Sequence, residues 1–277
     1  MSGSSFDIQE IGTYSGRAVR LYLFQLGEAI WRYATGDRSV LYDGVLWNPI
    51  QISDEGLKQK SEATTDDFLV TIDSTSTVVQ LFRGTPPSEP IKLTVRELQF
   101  GDSTAPIMWV GYVSSVRYRD QVSSDIVCNT QTAFLNRKGL RLSWSRQCPY
   151  ALYDLDCGVS RDAFAEGAIV TRLFGGGFEY ALLDPNTGKK EHRFQNGYFE
   201  WTVDGSYFQR RAILVDNITD CIVLGQVDGM TEGMNITMYP GCQRNPEDCT
   251  KVFDNMSNFG GFPMMPGRSP FDGNPVF

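Results

Sequence analysis

Ser39-Val40-Leu41-Tyr42-Asp43-Gly44-Val45-Leu46-Trp47 reads as two β-strands joined by a two-residue turn. Val40 to Tyr42 meet Val45 to Trp47 across an Asp-Gly pair, and both turn residues tolerate the positive φ of a type I′ hairpin. The same grammar extends in both directions. Upstream, Val19, Leu21 and Leu23 share one face of Ala18–Phe24 while Arg20 and Tyr22 take the other. Downstream, Phe68–Ile72, Ile91–Phe100, Met108–Tyr118 and Gln121–Asn129 are rich in β-branched and aromatic residues, with Ser76–Arg83 as one early helical turn.

A second block repeats the pattern at Ala168–Phe174, Phe178–Leu183, Tyr198–Val203, Tyr207–Val215, Ile222–Val227 and Asn235–Tyr239. Turn residues punctuate it at Asp184 to Gly188, Asn196-Gly197 and Asp204-Gly205, and Gly175-Gly176-Gly177 reads as a bulge or turn. Short strands at regular spacing with almost no long helical period predict an all-β fold of two tandem β-barrel-like domains, residues 1–147 and 148–255. The stretch 256–277, dense in Gly, Pro and aromatics, predicts an extended C-terminal arm lying over another surface.

A chain of 277 residues with 41% hydrophobic and 12% aromatic content can bury two modest cores. No basic stretch precedes an apolar one at the start, and no run of about 18 apolar residues follows, so the reading is a soluble chain made in a cytosol, without membrane anchor. In a reducing compartment, six cysteines point to free thiols or metal ligands before disulfides. The Asn-x-Ser/Thr matches at Asn217, Asn235 and Asn255 are then chance. A formal charge of −8 opposes the basic footprint of a tight nucleic-acid binder.

Cys148-Pro149 is followed, after eight residues, by Cys157-Gly158, and Gly241-Cys242 is followed, after six, by Cys249. All four sit among turn residues, where loops can aim thiolates at one centre, and the two pairs flank the second strand block. Four thiolates suit tetrahedral zinc or an iron-sulfur cluster. The long spacings favour a cluster over structural zinc, whose cysteines stand two to four residues apart. Two disulfides or unrelated core cysteines are the bland alternatives. Cys128 and Cys221 lie inside strand patterns and read as buried thiols.

Catalytic signals are weak. The one histidine, His192, lies in the polar run Lys189 to Arg193, and no nucleophile elbow or phosphate-binding loop is present. The pairs Asp66-Asp67 and Asp154 with Asp156 read as solvated turns. Trp31, Trp47, Trp144 and Trp201 read as core or interface residues rather than a carbohydrate platform.

Cys148-Pro149-Tyr150 to Cys157-Gly158-Val159, Gly241-Cys242 to Cys249 and the run Phe253–Gly267, with Asn258-Phe259-Gly260-Gly261-Phe262-Pro263, resemble the tail hub family of long-tailed phages, the minor tail protein L kind, and the hub proteins of gene transfer agents. The likeness runs from about Phe6 to Gly267, in the N-terminal half mainly as β layout, and Arg268–Phe277 extends beyond it. It implies two hub domains and a 4Fe-4S cluster on Cys148, Cys157, Cys242 and Cys249, with zinc as the alternative. It implies no enzymatic activity but a homotrimeric ring at the virion tail tip, assembled in the host cytoplasm. The expected neighbours are the distal tail protein ring, the central tail fibre protein and a tail peptidase. Genome DNA would pass through an acidic channel without tight binding. The rival functions are a tail-tip cell-wall hydrolase and a receptor- or carbohydrate-binding module.

Overall fold

The computed structural model describes residues 18–56, 67–99, 103–131, 142–184 and 193–265. The expected turn after Asp184, His192, Asp66 and Arg268–Phe277 lie outside the described residues. The chain divides into two compact units, Met1–Arg137 with Thr202–Gln209, and Lys138–Trp201 with Arg210–Phe277.

Nine strands build the first unit: β1 Ala18–Leu26, β2 Ala29–Ala34, β3 Val40–Tyr42, β4 Val45–Pro49, β5 Ile52–Asp54, β6 Phe68–Asp73, β7 Lys92–Gln99, β8 Ile107–Tyr118 and β9 Ser123–Thr130. They form one sheet in the order β3-β4-β2-β1-β7-β8-β9-β6-β5. The opening hairpin is present: Tyr42 pairs with Val45, and Asp43 and Gly44 take φ of 54° and 71°. Its Leu41 and Leu46 face solvent.

The sheet curls round one core, in which Tyr22, Phe24 and Leu26 of β1 pack with Ile52 of β5, Val70 and Ile72 of β6 and Val113 of β8. The opposite face of β1 is covered too, because Leu21 packs with Ala34, Trp47 and Leu98. Strand β1 is therefore buried on both faces, which alternation with one polar face does not announce. Strands β2 and β5 were not apparent in the sequence. β2 follows β1 through a two-residue turn, Gly27-Glu28, with Leu26 paired to Ala29, and β5 is three residues long and paired only with β6. Short strands of this kind depend on a neighbour's ladder more than on their own pattern.

Strands β10 Glu166–Phe174, β11 Gly177–Leu182, β12 Tyr198–Val203, β13 Tyr207–Asp216, β14 Asp220–Val223 and β15 Asn235–Tyr239 close a barrel in the order β10-β11-β14-β13-β12-β15. The fold is all-β, as expected. Strand β14 ends earlier than the expected Ile222–Val227: Leu224 N–H still donates to Ala212 O at 2.9 Å, and Gly225 then takes φ of 87°. Buried aromatics fill the barrel, as small barrels require. Phe178 meets Phe199 at 4.7 Å between ring centroids, and Phe199 stacks on Trp201 at 5.2 Å. Cys128 and Cys221 are fully buried in their strands, as the pattern predicts.

The described part of the C-terminal arm turns through Met256–Asn258 and then docks on its own unit. Phe262 N–H donates to Ser145 O at 2.9 Å, and Arg146 Nε donates to Met265 O at 2.7 Å. Trp144, expected in a core or interface, is 77% exposed and stacks one face on Phe262 at 4.9 Å.

Candidate functional site

The loop carrying Cys157 is built by Asp154. Its carboxylate accepts from Ala151 N–H at 3.0 Å and Cys157 N–H at 2.7 Å, and its carbonyl accepts from Gly158 N–H at 2.9 Å. This is the turn chemistry of an Asx side chain, and it explains a carboxylate that looked merely solvated. Within the loop, Tyr153 holds φ of 69°, uncommon for a bulky residue, and donates its hydroxyl to Pro240 O at 3.0 Å.

Cys249 sits on the short helix Pro246–Lys251, capped by Asn245, whose side chain accepts from Asp248 N–H at 2.7 Å. Asn245-Pro246-Glu247-Asp248 is a helix-start signal that was legible in the sequence and was passed over. Between them, Cys242 lies on a turn held by Gln243 N–H donating to Asp248 at 2.9 Å, and Arg244 N–H donates to Cys242 Sγ at 3.2 Å. Cys148 N–H donates to Arg244 O at 3.0 Å, which straps the first cysteine segment to the third.

These loops bring Cys148, Cys157, Cys242 and Cys249 to the lining of one cavity of about 120 Å³, with Asn196, Arg244, Phe253 and Asn255 among its other walls. No disulfide joins any of the six cysteines. Cavity residues Asn196 and Arg244 hold φ of 62° and 61°, and Asp254, next to Asn255, holds 47°. Left-handed backbone at non-glycine positions persists where the surroundings over-determine it.

The four sulfurs feel one another. Burial pushes the Cys242 thiol up, Arg244 N–H works against that, and Asp248, Cys157 and Cys148 add to the rise. Burial and then Cys242, Cys148 and Cys157 push the Cys249 thiol up. Thiolates that repel one another in a partly desolvated cavity are relieved by a cationic group at their centre. Four cysteines lining one cavity are a donor set that fits a thiolate-bound metal group, an iron-sulfur cluster or zinc.

Behind the cavity stands an aromatic and charged wall. Tyr153 makes edge contacts with Tyr198, Tyr239 and Phe253. Tyr198 stacks on Tyr239 at 4.6 Å, Arg161 lies over Tyr239 and Arg210 over Tyr198, and buried Glu200 pairs with both arginines. None of this wall was singled out from sequence, because its members come from separated strands.

Comparison with known proteins follows this geometry. A family model described as "Phage conserved hypothetical protein BR0599" matches residues 192–269, which include Cys242 and Cys249 but neither Cys148 nor Cys157. A Xylella fastidiosa (strain 9a5c) protein described as uncharacterized is 23% identical over 199 residues, 66% of this chain and 40% of its own length. This chain thus spans about two-fifths of that relative. A chain in the solved structure "Virion of native gene transfer agent (GTA) particle" matches with a TM-score of 0.77 and 17% identity, over 99% of this chain and 100% of that one. The shared property is the fold, end to end: a nine-stranded curled sheet followed by a closed six-stranded barrel.

Proposed function

We propose that this chain is a structural virion protein of a phage-like particle: the hub at the tail tip, with a 4Fe-4S cluster on Cys148, Cys157, Cys242 and Cys249. One coincidence carries the reading. A fold shared end to end with a chain of a gene transfer agent virion occurs together with a cavity lined by four cysteines from segments far apart in sequence.

In this reading three copies form a ring between the distal tail ring and the central fibre, with a tail peptidase as a further neighbour and DNA passing an acidic wall. When bound, the cluster supplies iron–thiolate bonds that make metal affinity part of folding free energy. The chain's own residues do the rest. Asp154 shapes the Cys157 turn, the capped helix presents Cys249, and Arg244 ties Cys148 to Cys242 while placing an N–H on sulfur. A structural role also agrees with a barrel packed by Phe178, Phe199 and Trp201 rather than hollowed for a substrate.

The test is anaerobic purification with quantification of iron, acid-labile sulfide and zinc, beside native mass spectrometry. Iron and sulfide in equal amounts with a trimer support the reading. Zinc alone, or no metal, removes the cluster, and a chain that stays monomeric at assembly concentrations removes the ring. Particles made without this protein should lack finished tails in electron micrographs.

A further inference from the structure

We propose that Asn255 is a positioning residue for the four-cysteine site, clasping the Cys157 loop to the Cys249 helix and aiming an N–H at the Cys157 sulfur. This deepens the cluster reading and rests on it for its purpose, though the clasp itself has its own readout.

Asn255 reaches both cysteine segments through its side chain and its backbone. Its Nδ2 donates to Cys157 O at 2.6 Å and lies 3.8 Å from Cys157 Sγ, across 98 residues of sequence. Its backbone N–H donates to Cys249 O at 2.8 Å. Its Oδ1 accepts from Asn258 Nδ2 at 2.8 Å, which fixes the amide so that Nδ2 faces Cys157. One residue thus joins two of the four cysteine segments.

The chemistry demands an amide. A carboxylate of the same shape would offer no donor to the Cys157 carbonyl. Groups that orient metal ligands through such hydrogen bonds control metal affinity. Asp254, one residue earlier, holds φ of 47°, so the backbone is bent to deliver Asn255 to this place.

The experiment compares the full chain with Asn255→Asp and Asn255→Ala. Iron release to a chelator is followed by visible absorbance, and alkylation of each cysteine in the chelator-stripped protein is followed by mass spectrometry. Both variants should lose metal about 10–100-fold faster than wild type. In the stripped variants Cys157 and Cys249, released from the clasp, should alkylate faster, while the core thiols Cys128 and Cys221 keep their wild-type rates. Wild-type behaviour of Asn255→Asp would overturn the proposal, as would parallel acceleration of Cys128 and Cys221, which signals general unfolding. A wild-type protein without metal defeats the cluster reading, and the alkylation rates then decide the clasp by themselves.

Discussion

Single residues in this protein carry consequences beyond their neighbours. Glu200 is buried and pairs with both Arg161 and Arg210, whose guanidiniums cover the Tyr239 and Tyr198 rings. Removing one partner of a buried pair costs about 3–5 kcal/mol, and the partial exposure of both arginines reduces this to about 2 kcal/mol. Glu200→Ala should lose that amount in urea titrations. Asp54, in the first unit, offers a pH test. Burial opposes its charge, but hydrogen bonds from Arg20, Tyr22 and Gly56 N–H outweigh burial and hold the carboxyl below its ordinary value. A depressed carboxylate contributes stability that is complete above the unfolded value, about 3.9, and is lost as pH falls through the folded value. Asp54→Asn should therefore lower stability at neutral pH and flatten the acid limb below about pH 4, read from urea midpoints between about pH 3 and 7.

At the scale of elements, the barrel and the cysteine loops meet through a backbone contact that leaves no room for a side chain. A Cβ on Gly241 would stand 2.0 Å from Gln195 O and 2.4 Å from Gly197 N, and one on Gly197 would stand 2.1 Å from Tyr239 O. Gly241 precedes Cys242, so this close approach sets where the third cysteine leaves β15. Gly241→Ala should cost about 1–3 kcal/mol by overpacking and lower the iron content of the purified chain. Leu41→Ser, on the exposed β3–β4 hairpin, should stay within about 0.5 kcal/mol. A Gly241→Ala variant with wild-type stability and metal content would separate the strand end from the site.

For the whole molecule, all four cysteines belong to the second unit. Chelation of a metal-loaded chain should therefore lower the melting transition of the second unit and leave that of the first in place, as calorimetry or limited proteolysis would read. A shift of both transitions together would mean that the units unfold as one.

Much of the β architecture was legible in local pattern. Period-two runs marked most strands, Asp43-Gly44 and Asp204-Gly205 marked turns, and turn residues around Cys148, Cys157, Cys242 and Cys249 marked loops able to aim thiols. These signals are local, because a strand's alternation and a turn's positive φ depend on adjacent residues. Tertiary structure alone decided the rest. It buried both faces of β1, closed the second sheet into a barrel, turned the described arm back onto Trp144, and set Asn255 across 98 residues against Cys157. Those outcomes depend on which distant segments share a surface, and a chain read one residue after another carries no distance between them.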